Sequence, residues 1–162
     1  MPKGELQRDT AKLLGESGFD IGEYRDRSRS YRPLCKSYPD LFVKVFHEKD
    51  IAIQVAIGNY DLGICRLDWV EELLTKYRSD ALVKVRTLGF GSRRIYAVVA
   101  GESEVSSLEA LRSCDDRLRV VSEYPNIAES FALGQRLRRF QIFPVWGAAS
   151  VYLPENAELA IV

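Results

Sequence analysis

Short runs of β-forming apolar residues alternate along this chain with segments whose apolar positions recur every three or four residues. That change of period is the signature of α/β architecture. Residues 5–18 predict a helix with Leu6, Thr10, Leu13 and Leu14 at helical spacing and Gly18 as its stop. Leu41–Phe46 predicts a strand, Glu48–Ile57 a short helix ending at Gly58, and Asp61–Cys65 a buried strand. Leu67–Tyr77 predicts an amphipathic helix that turns Trp69, Val70, Leu73 and Leu74 inward. Strands at Leu82–Leu88 and Arg94–Ala100 follow, broken at Gly89-Phe90-Gly91. The rest reads as helix Ser106–Ser113, strand Arg117–Ser122, helix Ile127–Arg136 capped by Asn126, strand Phe140–Val145, and the start of a strand at Glu158–Val162. Because a second strand–helix series opens after about residue 92, two lobes are expected, 1–92 and 93–162, joined through the strand pair around 82–100. The first lacks the opening strand that such a lobe usually has, and the chain finishes on apolar Ala160-Ile161-Val162, so trimming at both ends is expected.

With 162 residues, 46% of them hydrophobic, the chain can bury a real core. Its 23 basic residues balance 23 acidic ones, which excludes a whole-molecule electrostatic grip on nucleic acid or an acidic membrane. An anionic ligand has to be met by local groups. Three cysteines, Cys35, Cys65 and Cys114, lack metal-ligand spacing and read as reduced thiols. No apolar run nears the ~20 residues of a membrane span, and the polar start MPKGELQRD is unlike a secretory signal, so a cytoplasmic protein is expected.

Several turns carry candidate chemistry, each beside a plainer reading. Lys3-Gly4 stands where a helix start could hold an anion, or is a solvated end. Tyr24–Lys36 carries Arg25, Arg27, Arg29, Arg32 and Lys36 beside two tyrosines. It is a solvated loop, a single phosphate-binding arginine, or a stacking patch diluted by Glu23 and Asp26. His47, the only histidine, has no partners at ligand spacing and reads as a surface or capping residue. Asp68 follows a strand into a helix, where open α/β sheets bind ligands, or serves as that helix's N-cap. Ser122 and the turn Glu123-Tyr124-Pro125-Asn126 would suit a phosphate, as would many ordinary turns. No G-x-G-x-x-G, Walker loop, G-x-S-x-G elbow or paired zinc cysteines occur.

Taken in order, these stretches resemble the ATP phosphoribosyltransferase family. They are Pro2-Lys3-Gly4-Glu5-Leu6, Lys49–Val55 leading to Gly58, Asp61-Leu62-Gly63-Ile64-Cys65 with Asp68, and Leu88-Gly89-Phe90-Gly91. Arg119–Asn126, Gly147 and Ala160-Ile161-Val162 continue the series through the second lobe. The resemblance implies a two-lobed periplasmic-binding-protein-like (type II) fold with a cleft between the lobes. It implies a reaction in which N1 of the ATP adenine displaces pyrophosphate from C1 of phosphoribosyl pyrophosphate, with magnesium bridging the phosphates. Asp68 would be the catalytic carboxylate, orienting the ribose or adenine side. Lys3 and the Gly4 amide would hold one phosphate and Arg29 another, with Arg66, Ser122 and Tyr124 as further substrate contacts. A homo-oligomer of dimer size or larger is implied, as is a synthetase-like regulatory partner of the short-form enzymes.

Four departures qualify the resemblance. Arg66 stands where the family usually has Gly, and a long cation there fills the pocket or reaches a phosphate. His47 replaces a usual arginine, and Gly147-Ala148-Ala149-Ser150 lacks an expected carboxylate. The family's Asp-x-x-x-Thr-Gly-x-Thr loop for phosphoribosyl pyrophosphate would begin just after Val162, so this chain by itself is expected to be weakly active or inactive. The competing expectation is a non-catalytic small-molecule-binding or effector-sensing module of the same fold.

Overall fold

The computed structural model describes residues 1–77 and 82–162. The chain divides into two compact units, Met1–Leu73 with Arg78–Ser92, and Leu74–Tyr77 with Arg93–Val162. Strands and helices alternate in both units, so the chain is α/β.

In the first unit, β1 (Pro2–Lys3) pairs in parallel with β2 (Phe46–His47), Pro2 opposite Phe46 and Lys3 opposite His47. Each strand runs directly into a helix, α1 (Gln7–Glu16) or α2 (Glu48–Ala56). Both helices end as the glycines predict. Gly18 and Gly58 take left-handed φ values of +84° and +77°, which only glycine adopts without steric cost. The Phe19 amide then reaches back to the Leu14 carbonyl (2.8 Å) and Asn59 to Gln54 (3.1 Å), closing the last turn. The core of the unit includes Leu6, Val43, Val45, Ile51 and Ala52, with Thr10 and Gln7 buried on α1. The third helix, α3 (Leu67–Lys76), has Trp69, Val70, Leu73 and Leu74 half-buried where a core stripe was expected, and Glu72 is its buried residue.

Three predicted strands of this region do not form as such. Leu41–Phe46 contributes only Phe46 to a strand. Val43 and Val45 are buried, but the Val45 amide is taken by the Tyr31 carbonyl (3.0 Å). Asp61–Cys65 forms no ladder: Gly63 lies so close against α2 that a Cβ there would stand 2.5 Å from Ile51 Cγ2. Leu82–Leu88 also stays outside any ladder, with Val83 and Val85 exposed. β-forming residues make a strand only where another backbone offers donors and acceptors.

The second unit holds a mixed sheet in the order β3-β6-β4-β5, from β3 (Ala97–Val98), β4 (Leu118–Ser122), β5 (Phe140–Pro144) and β6 (Leu159–Ile161). β4 is central and parallel to both β5 and β6, whereas β3 runs antiparallel to β6. Of the predicted strand Arg94–Ala100, only Ala97–Val98 is laddered, and Tyr96 extends the pairing by exchanging two backbone bonds with Val162. The two-residue period sorts the core. Leu118, Val120, Leu159 and Ile161 pack with Ala128 and Ala132 of α5 (Pro125–Gly134) and with Leu111 of α4 (Leu108–Ser113). Val121 and Ala160 point the other way, onto Ala149 and Ala157, small residues beside a 3₁₀ turn at Ala149–Tyr152. Asn126 is not the cap of α5. Pro125 occupies the first turn with its φ already set for a helix, which moves the cap back to Tyr124. Among the described residues no helix is long and apolar enough to cross a membrane.

Candidate functional site

Parallel pairing of β1 with β2 brings two strand-to-helix turns side by side at the carboxyl ends of the strands, where α/β sheets present ligand-binding groups. Gly4 turns the first of them at φ +102°. Glu5 follows it, Glu48 opens α2, and Arg66 and Asp68 bracket the start of α3. These four side chains converge. Arg66 Nε lies 3.2 Å from Glu48 Oε2 and 3.2 Å from Asp68 Oδ2, and its Nη1 lies 3.4 Å from Glu5 Oε2. The side chains of Arg66, Glu48 and Asp68 are 10%, 9% and 8% exposed, so little water screens them, whereas Glu5 is 68% exposed.

Both inner carboxylates are held by backbone as well. Glu48 Oε1 accepts the Leu6 amide (3.3 Å), tying α2 to the start of α1. Asp68 Oδ1 accepts the Trp69 amide (2.8 Å) from within the first turn of α3, so Asp68 serves an orphan donor there without being the N-cap. Burial pushes the Glu48 carboxyl above its ordinary value. Arg66 and the Leu6 amide pull it down without cancelling that push, and Glu5 and Asp68 add to it. Burial, then the charges of Asp68 and Glu48, push the neighbouring Cys65 thiol up to about 11, which leaves it inert.

The other expected site residues lie elsewhere. Lys3 Nζ donates to the Tyr31 hydroxyl (2.6 Å) and sits 4.4 Å from that ring's centroid. The hydrogen bond and the charge of Lys3 hold the Tyr31 phenol below its ordinary value. Arg29 stays exposed on its loop, which buried Gln7 secures by donating to the Arg25 (2.9 Å) and Ser28 (3.1 Å) carbonyls. His47 is exposed and occupies the N-cap position of α2 without a side-chain cap bond. In the second unit the fully buried Ser122 hydroxyl donates to the Ile161 carbonyl (2.7 Å) and accepts the Tyr124 amide (2.8 Å), which fixes the turn into α5.

Arg66 does fill space beside Asp68, but its partners are carboxylates. Glu5, Glu48 and Tyr31 were missed as site residues. An acidic residue at the junction between a strand and the helix that follows it was the available signal for the first two. Glu5, Glu48 and Asp68 are hard oxygen donors of the kind magnesium prefers, yet a guanidinium stands among them. Among the described residues no three His, Cys, Asp or Glu are grouped to hold a metal ion. The site does not fit a protein-held magnesium. It fits two fixed acceptors, able to receive hydroxyl or amine hydrogens from a ligand.

Comparison with known proteins bears on which ligand. The family described as HisG: ATP phosphoribosyltransferase matches residues 47–162. An ATP phosphoribosyltransferase of Desulforudis audaxviator is 26% identical over 159 residues, 95% of this chain and 50% of the relative. That of Prosthecochloris aestuarii is 27% identical over 164 residues, covering 99% and 52%. The chain thus spans about half the length of the curated relatives it matches. A chain of the ATP phosphoribosyl transferase (HisG:HisZ) complex from Thermotoga maritima shares the fold, with a TM-score of 0.68 over 99% of this chain and 70% of its own, at 18% identity. The family match over residues 47–162 takes in well over half of the chain, and the relatives align over nearly all of it, so the chain belongs to the ATP phosphoribosyltransferase family.

Proposed function

We propose that the protein to which this chain belongs transfers the phosphoribosyl group of phosphoribosyl pyrophosphate to N1 of ATP, the entry step of histidine biosynthesis, in the cytoplasm. In that reaction the N1 lone pair forms a bond to C1 while the C1–O bond breaks and pyrophosphate leaves with its electron pair. The observation that carries the reading is the family match over residues 47–162. The first unit supports it with Asp68, a carboxylate held by Arg66 and the Trp69 amide and suited to orient a ribose or the adenine. Lys3, the Gly4 amide and Arg29 are the proposed phosphate contacts. The turn at Ser122 and Tyr124 is proposed to supply others, with Ser122 acting through the turn it fixes. Magnesium is proposed to arrive on the substrates' phosphates. Homo-oligomeric assembly and a synthetase-like regulatory partner are proposed with it, since the similar Thermotoga chain comes from a HisG:HisZ complex.

A second reading, a ligand-binding module without catalysis, is favoured by one observation: Arg66 compensates the charge of the carboxylate that the reaction would use. The full-length protein, incubated with magnesium, ATP and phosphoribosyl pyrophosphate, separates the two. Release of pyrophosphate with a phosphoribosyl-ATP product of the right mass supports the transferase. Calorimetric heat with either compound but no product supports the module, and neither heat nor product from folded protein refutes both.

A further inference from the structure

Arg66 is the one residue of the site whose environment the proposed reaction leaves unexplained. Its guanidinium lies 3.2 Å from both Glu48 and Asp68 and 3.4 Å from Glu5, so the cation joins the starts of three helices. A free anion would have to displace those carboxylates to reach it, which argues against Arg66 as a phosphate ligand. Without the cation, Glu48 and Asp68 would face each other at the edge of the core, 9% and 8% exposed, and one of them would take up a proton or turn away. Both inner carboxylates meet the guanidinium at its one Nε, as ion pairs in a cluster nearly closed to water, so it is the position of the positive charge that holds them together.

We propose that Arg66 is a positioning residue, which fixes Asp68 and Glu48 as a charged acceptor pair so that Asp68 meets the substrate in one orientation. Arg66 acts through Asp68 and does not itself touch the substrate. The inference rests on the transferase reading for its kinetic consequence, but not for its electrostatic one. The titratable groups facing Arg66 include Glu5 from the turn before α1, Glu48 from α2 and Asp68 from α3, with Cys65 adjacent in the chain.

The test is a double-mutant cycle on the full-length protein, with Arg66→Met, Asp68→Asn and the pair. Arg66→Met lowers kcat/KM by about tenfold or more, and in the Asp68→Asn background the same change costs less than about twofold. Losses that simply multiply, or an Arg66→Met protein as active as the wild type, overturn the proposal. If Arg66→Met does not fold, Arg66→Lys carries the test. It keeps the charge but carries it at the end of the chain and not at the Nε position that both carboxylates face, and is expected to lose about threefold or more activity, again only while Asp68 is present. A full-rate Arg66→Lys protein that also keeps the wild-type titration overturns the proposal. Carbon-13 carboxyl titration by NMR decides the question independently of turnover. The Glu48 midpoint, which Arg66 pulls down, rises further in Arg66→Met, or in Arg66→Gln if that variant is the one that folds. An unmoved midpoint refutes the inference. Absence of product from the wild type refutes the transferase reading alone and leaves the titration as the deciding measurement.

Discussion

Ser122→Ala removes one oxygen from a position with no exposed surface. That oxygen donates to the Ile161 carbonyl at 2.7 Å and accepts the Tyr124 amide at 2.8 Å, so it joins β4, β6 and the cap of α5. Two intramolecular hydrogen bonds, each with a net value of about 1 kcal/mol, set a loss of about 2 kcal/mol. The desolvation of groups that lose this partner where water cannot reach raises it towards about 3 kcal/mol. For a chain of this length that corresponds to a fall in Tm of about 4–12 °C. Urea unfolding followed by far-UV circular dichroism measures it, with the exposed Ser150→Ala as the control, expected within about 0.5 kcal/mol of wild type. A Ser122→Ala protein as stable as that control would refute the reasoning, because the hydroxyl would then not be what holds the turn.

Three further outcomes are expected. Arg136 follows α5 at φ +57° while its amide and that of Leu137 bond the Leu133 and Ala132 carbonyls; Arg136→Gly relieves the left-handed strain and raises stability by about 0.5–1 kcal/mol in the same assay, and a loss would contradict this. Burial alone would raise the Glu158 carboxyl, but the side-chain and backbone hydrogen bonds and the charge of Arg119 outweigh it and hold the value below the usual 4.5. The stability it contributes is therefore present above that unfolded value and lost as pH falls through the lower native one. Glu158→Gln should flatten the acid limb of a stability–pH curve, and an unchanged slope below about pH 4.5 rejects the assignment. With its thiol pushed up to about 11 from an ordinary 9.0, Cys65 carries roughly a hundredfold less thiolate at pH 8. Mass-spectrometric rates with iodoacetamide should show that deficit, and alkylation as fast as that of a small-molecule thiol would refute it.

What could be read along the chain was what local physics decides. The stops at Gly18 and Gly58 were legible because a left-handed residue closing a helix is a matter of a few neighbouring bonds. β4 and α5 were legible because buried strands and helices write their period into the chain, although Pro125 displaced the expected cap at Asn126. Asp68 could be singled out from its place at a strand-to-helix junction, and Arg66 from its departure beside it.

The tertiary structure decided the rest. Whether Asp61–Cys65 and Leu82–Leu88 became strands depended on a partner backbone, which no property of those residues encodes. That Arg66 would meet carboxylates, and not a phosphate, depended on Glu5 and Glu48 being delivered to it by the parallel register of Pro2 with Phe46 and Lys3 with His47. Propensity and periodicity act over a few residues and are written in the sequence. The pairing of charges distant along the chain is set by register and packing, and so the charge state of the candidate site became visible only in the fold.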